Sequence, residues 1–75
     1  MQIEIFTGPG CVHCEAAKSL LRARGLAFDE RDMTDPEARA DYAARLPREK
    51  SIPQIFIDGV HIGGNEDLQQ HLARG

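Results

Sequence analysis

Cysteine is scarce here: Cys11 and Cys14 are the only two in 75 residues. A disulfide scaffold is thereby excluded, because a bridge closing so short a loop removes little chain entropy and stabilises the fold little. Excess positive charge is also missing. The net charge is −3 with the histidines neutral, so a nucleic-acid role has no electrostatic support. The arginines and lysines are scattered among acids and read as a solvated surface. No apolar run approaches the roughly 20 residues of a membrane span. Met1 is followed at once by Gln2-Ile3-Glu4-Ile5, which reads as a strand and lacks the basic-then-apolar form of a signal peptide. Neither nucleic acid nor membrane is an expected partner, and the expected location is the cytoplasm. Repeats, linkers and low-complexity segments are absent, and the length fits one domain, residues 1–75.

What is present is regular. The 41% of hydrophobic residues suits a globular chain. Gln2 to Phe6 alternates Ile3 and Ile5 with polar neighbours and predicts a strand, closed by the turn cluster Thr7-Gly8-Pro9-Gly10. Val12, Ala16, Ala17, Leu20 and Leu21 recur at helical spacing up to Arg24, with Gly25 as the stop. Leu26 to Arg31 predicts a short second strand with Leu26 and Phe28 on one face. Thr34-Asp35-Pro36-Glu37 starts a second helix that runs to Pro47. Gln54 to Ile57 is the strongest strand; Asp58-Gly59 signals a hairpin into Val60-His61-Ile62. Asn65 is placed to cap a last helix through Leu72. The order β-α-β-α-β-β-α makes the first two strands parallel and the last two a hairpin. The expected fold is α/β: a four-stranded mixed sheet with three helices spread over both faces.

Cys11-Val12-His13-Cys14 falls where the first strand's turn meets the first helix. Residues three apart share a helical face, so a disulfide forms without moving the backbone far. The first turn carries unpaired N–H groups and the positive end of the helix dipole. Cysteines so placed ionise at about pH 3.5–7.5, against about 8.5 for a free thiol. In a reducing compartment a lone Cys-x-x-Cys points to redox catalysis or metal binding. In the dithiol reading, Cys11 at the helix entrance attacks, and Cys14, one turn in and more buried, resolves.

Two further segments bear on a site. Ser51-Ile52-Pro53 precedes the strongest strand. Proline suits a strand's first residue, and a cis Ile52–Pro53 bond would turn the Ile52 backbone toward Cys11, where its N–H and C=O can bridge a peptide-like substrate. Gly63-Gly64-Asn65-Glu66-Asp67 pairs two permissive glycines with a helix start. Its N–H groups can hold a carboxylate and its acids an ammonium, as a γ-glutamyl group requires.

Cys11-Val12-His13-Cys14, the segment Ser51 to Ile57 and the segment His61 to Leu68 together resemble the three signature segments of glutaredoxins, and the likeness covers nearly the whole chain. The resemblance implies a thioredoxin-like fold, Cys11 as nucleophile, Cys14 as resolving thiol and Pro53 as cis-proline. It implies glutathione contacts at Ile52, Gly64, Asn65 and Glu66, with Asp67 beside them; Val12, His13 and Pro53 complete the expected lining. The implied activity is glutathione-dependent reduction of protein disulfides and glutathione mixed disulfides. Glutathione serves as co-substrate, with no tightly bound cofactor and no metal. The expected partners are glutathione, disulfide-bearing or glutathionylated proteins and, indirectly, the glutathione reductase system; the expected state is a monomer.

Several positions depart from the family pattern. Val12 and His13 replace the usual proline and tyrosine. No basic residue stands near Gly8, and Arg48 or Lys50 can substitute only from the facing loop. Ser51 replaces threonine. His13 can add a cation beside Cys11 at mildly acidic pH, but it reads more simply as an exposed ring lining the groove. Val12 also resembles the glutaredoxin-like electron donors of ribonucleotide reductase, which thioredoxin reductase serves; the double-glycine segment argues against that placement. A dimer bridging a [2Fe–2S] cluster through Cys11 and two glutathiones is a third reading, which Val12 and Cys14 disfavour.

Overall fold

The computed structural model describes residues 1–74. Its elements are β1 (Ile3–Thr7), α1 (Val12–Ala23), β2 (Asp29–Asp32), α2 (Pro36–Arg45), β3 (Gln54–Ile57), β4 (Val60–Gly63) and α3 (Asn65–Ala73). The sheet order is β2-β1-β3-β4. β1 runs parallel to β2 and antiparallel to β3, and β3 and β4 form the hairpin with an irregularity between Ile55 and Phe56.

The period of two along the central strands divides the core. Ile3, Ile5, Ile55 and Ile57 face Ala17 and Leu21 of α1 and Leu68 and Leu72 of α3. On the other side Phe6 and Phe56 meet Tyr42 and Leu46 at α2. Phe6 sits edge-on to Tyr42 at 5.4 Å between centroids, a favoured aromatic geometry. The sheet thus carries α1 and α3 on one face and α2 on the other, as expected.

β2 departs from the expected span. Leu26 cannot enter the ladder because its N–H is bound to the Leu21 carbonyl at 2.9 Å. With Phe28 it packs partly buried against the first cluster from the connecting segment. The strand proper is the charged run Asp29-Glu30-Arg31-Asp32. The basic residues are likewise not all a solvated surface. Arg31 and Arg45 bridge Glu4 and Asp41, and the Arg45 guanidinium lies 4.0 Å from the Phe56 ring centroid. Lys18, almost fully buried, joins Glu15 and Glu30 at 2.8 Å each.

Candidate active site

β1 delivers the chain into the Gly8–Gly10 turn, and α1 begins immediately after it. Cys11 is the N-cap of α1 in extended backbone conformation, and its Sγ accepts a hydrogen bond from the Cys14 N–H at 3.1 Å. A capping sulfur takes the position a serine or aspartate oxygen fills in other helices. Cys11 and Cys14 are joined as a disulfide, with their Cα atoms 5.2 Å apart. Cys14 is fully buried, whereas Cys11 is partly exposed. A thiol arriving from solvent therefore meets the Cys11 sulfur first.

Facing Cys11 is the loop before β3. The Ile52–Pro53 bond is cis, and the Ile52 carbonyl oxygen lies 3.8 Å from Cys11 Sγ. Two side chains hold this loop from below. The Tyr42 hydroxyl donates to the Ser51 carbonyl at 2.6 Å, and the buried Gln54 amide donates to the same oxygen at 3.4 Å and to Ser51 Oγ at 3.2 Å. Gln54 Oε1 is in turn 2.7 Å from His61 Nε2. Because Gln54 spends its NH₂ on Ser51, His61 is the donor, which assigns its Nε2–H form. Burial raises the Tyr42 pKa above the usual phenol value, and the Glu49 charge adds to this, so the hydroxyl keeps its proton for Ser51.

A groove of about 560 Å³ is bounded by His13, Ile52 and Pro53 on one side and by Gly64, Asn65 and Glu66 on the other; neither cysteine lines it, and Cys11 meets it through Ile52, whose carbonyl oxygen is 3.8 Å from its sulfur. Six of the residues expected at the site are thus brought together. Val12 is not: its side chain is 79% exposed and stands outside the lining. Arg48 and Lys50 are exposed and also outside the lining; neither brings a cation to the groove.

The start of α3 differs from expectation in one detail. Gly64, rather than Asn65, is the N-cap, and the Asp67 carboxylate accepts the Gly64 N–H at 3.0 Å. That is the returning half of a capping box, and it was readable in an acid three residues beyond the cap. Asn65 Oδ1 is instead buried, with no hydrogen-bond partner among the described residues. Gly63 is the stricter of the two glycines: its φ is +122° and the Asp67 side chain occupies the space a Cβ would need, whereas a Cβ on Gly64 would sit at an ordinary 3.6 Å from the Pro53 carbonyl. Asp67, expected beside the glutathione contacts, lines the groove as well, and Ser51 and Gln69 join it without an expectation at either position.

The profile of the glutaredoxin family matches residues 3–62. The chain belongs to the glutaredoxin family. It is 38% identical over 73 residues to glutaredoxin 3 of Escherichia coli K12, covering 97% of this chain and 88% of that protein. It is 43% identical over 75 residues to the hybrid peroxiredoxin hyPrx5 of Haemophilus influenzae, covering 95% of this chain but only 29% of that protein, so this second likeness concerns one part of a longer chain. Among solved structures, a buckwheat glutaredoxin–glutathione complex superposes with a TM-score of 0.84 at 25% identity, over 97% of this chain and 69% of that one. Glutaredoxins carry the thioredoxin-like fold, which the sheet order and three helices display here. Membership makes this glutaredoxin a thiol–disulfide oxidoreductase. No described helix is long and apolar enough to cross a membrane. Among the described residues no cluster of three His, Cys, Asp or Glu is arranged to hold a metal ion.

Proposed function

We propose that residues 1–75 act as one domain that uses glutathione to reduce protein disulfides and glutathione mixed disulfides, with Cys11 as nucleophile and Cys14 as resolving thiol. The observation that carries this reading is the asymmetry of the disulfide. Cys11 is partly exposed and its sulfur stands 3.8 Å from the carbonyl oxygen of Ile52, a residue that lines the groove, while Cys14 is fully buried. The glutathione named in the buckwheat complex supports the choice of tripeptide.

In the reduced protein the Cys11 thiolate attacks one sulfur of a target disulfide. A Cys11–target S–S bond forms, the target's own S–S bond breaks, and the departing thiolate takes a proton from water. The Cys14 thiolate, its proton passed to solvent, then attacks Cys11 Sγ and expels the second target sulfur. The target has gained two electrons and the dithiol has lost two, which leaves the disulfide seen here. One glutathione thiolate next attacks Cys11 Sγ and frees Cys14. A second attacks the glutathione sulfur, releasing Cys11 and glutathione disulfide. In this reading the Ile52 backbone pairs with the tripeptide backbone. The first-turn N–H groups of α3 receive its γ-glutamyl carboxylate and Glu66 its ammonium, and His13 and Pro53 flank it.

Single-cysteine variants test the scheme. Cys11→Ser is expected to lose both activities. Cys14→Ser is expected to retain release of glutathione from a glutathionylated peptide while losing reduction of a protein disulfide, since the latter needs the internal attack. NADPH oxidation coupled through glutathione reductase is expected, with little through thioredoxin reductase. Full activity in both variants, or turnover with thioredoxin reductase alone, would reject the assignment.

A further inference from the structure

Gly8 is a glycine for a reason its backbone does not supply. Gly10 in the same turn has a φ of +69° and open space where a Cβ would stand; Gly8 has no positive φ, yet a Cβ built on it would lie 2.8 Å from Ile52 Cδ1. That is inside any real carbon–carbon contact, so the terminal methyl of Ile52 fills the space that a side chain at position 8 would take. Ile52 is also the residue whose carbonyl oxygen stands 3.8 Å from Cys11 Sγ and whose side lines the groove.

We infer that Gly8 is a positioning residue for this site: by having no side chain it seats Ile52 against the β1 turn and so sets the width of the groove beside Cys11. The inference rests on the function proposed above. Ile52 has little freedom to yield elsewhere. Its main chain is tethered through Ser51, whose carbonyl takes the Tyr42 hydroxyl and the Gln54 amide. Behind its side chain lies the cluster of Phe6 and Tyr42, both almost wholly buried, and a packed core resists an added methyl. A side chain at position 8 therefore pushes the end of the Ile52 side chain off the β1 turn, and the groove that Ile52 lines is open to receive it. Crowding there acts on what binds beside Cys11 and leaves the two sulfurs where they are.

The test is Gly8→Ala, alone and combined with Ile52→Val, which removes the obstructing methyl. With a glutathionylated peptide as substrate, Gly8→Ala is expected to raise KM about five-fold or more, with kcat within about two-fold. In the Ile52→Val background the same alanine is expected to change KM by less than about two-fold, the scatter of independent sites. The Ile52 δ1-methyl resonance of Gly8→Ala is expected to shift, a readout that needs no activity. An unmoved methyl resonance, or a KM increase of equal size in both backgrounds, overturns the inference. An inactive parent protein with a shifted methyl would instead count against the proposed glutathione chemistry and leave the Gly8–Ile52 contact established.

Discussion

Tyr42 shows at the residue scale how a side chain outside the groove shapes it. Its ring is 6% exposed and edge-on to Phe6, and its hydroxyl donates to Ser51 at 2.6 Å. Tyr42→Phe keeps the ring and removes the donor. The Ser51 carbonyl is then left with the longer Gln54 bond at 3.4 Å. A neutral hydrogen bond contributes about 0.5–1.5 kcal/mol net, so urea denaturation is expected to show a loss of about 1 kcal/mol. A loss under about 0.3 kcal/mol would mean that Gln54 alone satisfies the carbonyl. Ser51 and Tyr42 are nine residues apart, and no local motif joins them. The cysteines, Pro53 and Gly64 were legible because each belongs to a short motif whose chemistry depends on its neighbours. The supports beneath them, Tyr42 and Gln54, were not, because only the fold makes them adjacent. Val12, expected in the lining through the family resemblance, is instead largely exposed at the first position of α1.

Elements were easiest to read where their ends carry their own chemistry. All seven appear in the expected order, and α2 starts on Asp35, whose carboxylate accepts the Glu37 N–H at 3.1 Å. α1 ends in a Schellman motif: the Gly25 N–H reaches the Arg22 carbonyl and the Leu26 N–H reaches Leu21, both at 2.9 Å. Gly25 sits at φ +68° with nothing near its missing Cβ. Gly25→Ala therefore suffers from backbone conformation alone, at about 1–2 kcal/mol for a non-glycine residue in the left-handed region. A fall in unfolding free energy of that size, with the groove's activity intact, is the expected result; an unchanged stability would show that α1 can end another way. The same motif explains the misjudged start of β2. Leu26 and Phe28 are apolar and alternate, but the first is already committed to closing α1. The real strand is a largely exposed run of charges, and sequence alternation has no means of marking it.

Across the whole molecule, each face of the sheet carries one ion-pair cluster tying a helix to the strands. On the α2 face Glu4 of β1 holds Arg31 and Arg45; on the α1 face Glu30 of β2 holds Lys18 at 2.8 Å and accepts the Thr7 hydroxyl at 2.7 Å. The hydrogen bond from Arg45 holds Glu4 below the usual carboxylate range, the one from Arg31 does so for Asp41, and the one from Lys18, with Thr7, for Glu30. A carboxylate whose pKa is lower folded than unfolded makes the unfolded chain bind more protons in the window between the two values. Stability from these groups is therefore complete above the unfolded values near about pH 4 and is lost as pH falls through the folded ones. Thermal unfolding is expected to be nearly flat from about pH 7 to 5 and to drop steeply below about pH 4. Glu4→Gln keeps the shape of the side chain and removes one of the titrating groups. It is expected to be less stable than the parent at neutral pH and to converge on it in acid, where the parent's Glu4 is protonated too. If the two stability curves ran parallel down to about pH 2, the Glu4–Arg45 pair would not be what links β1 to α2. The contribution of Arg45 would then rest on its stacking over Phe56, and Arg45→Lys, which keeps the charge and loses the planar stack, would show the larger defect.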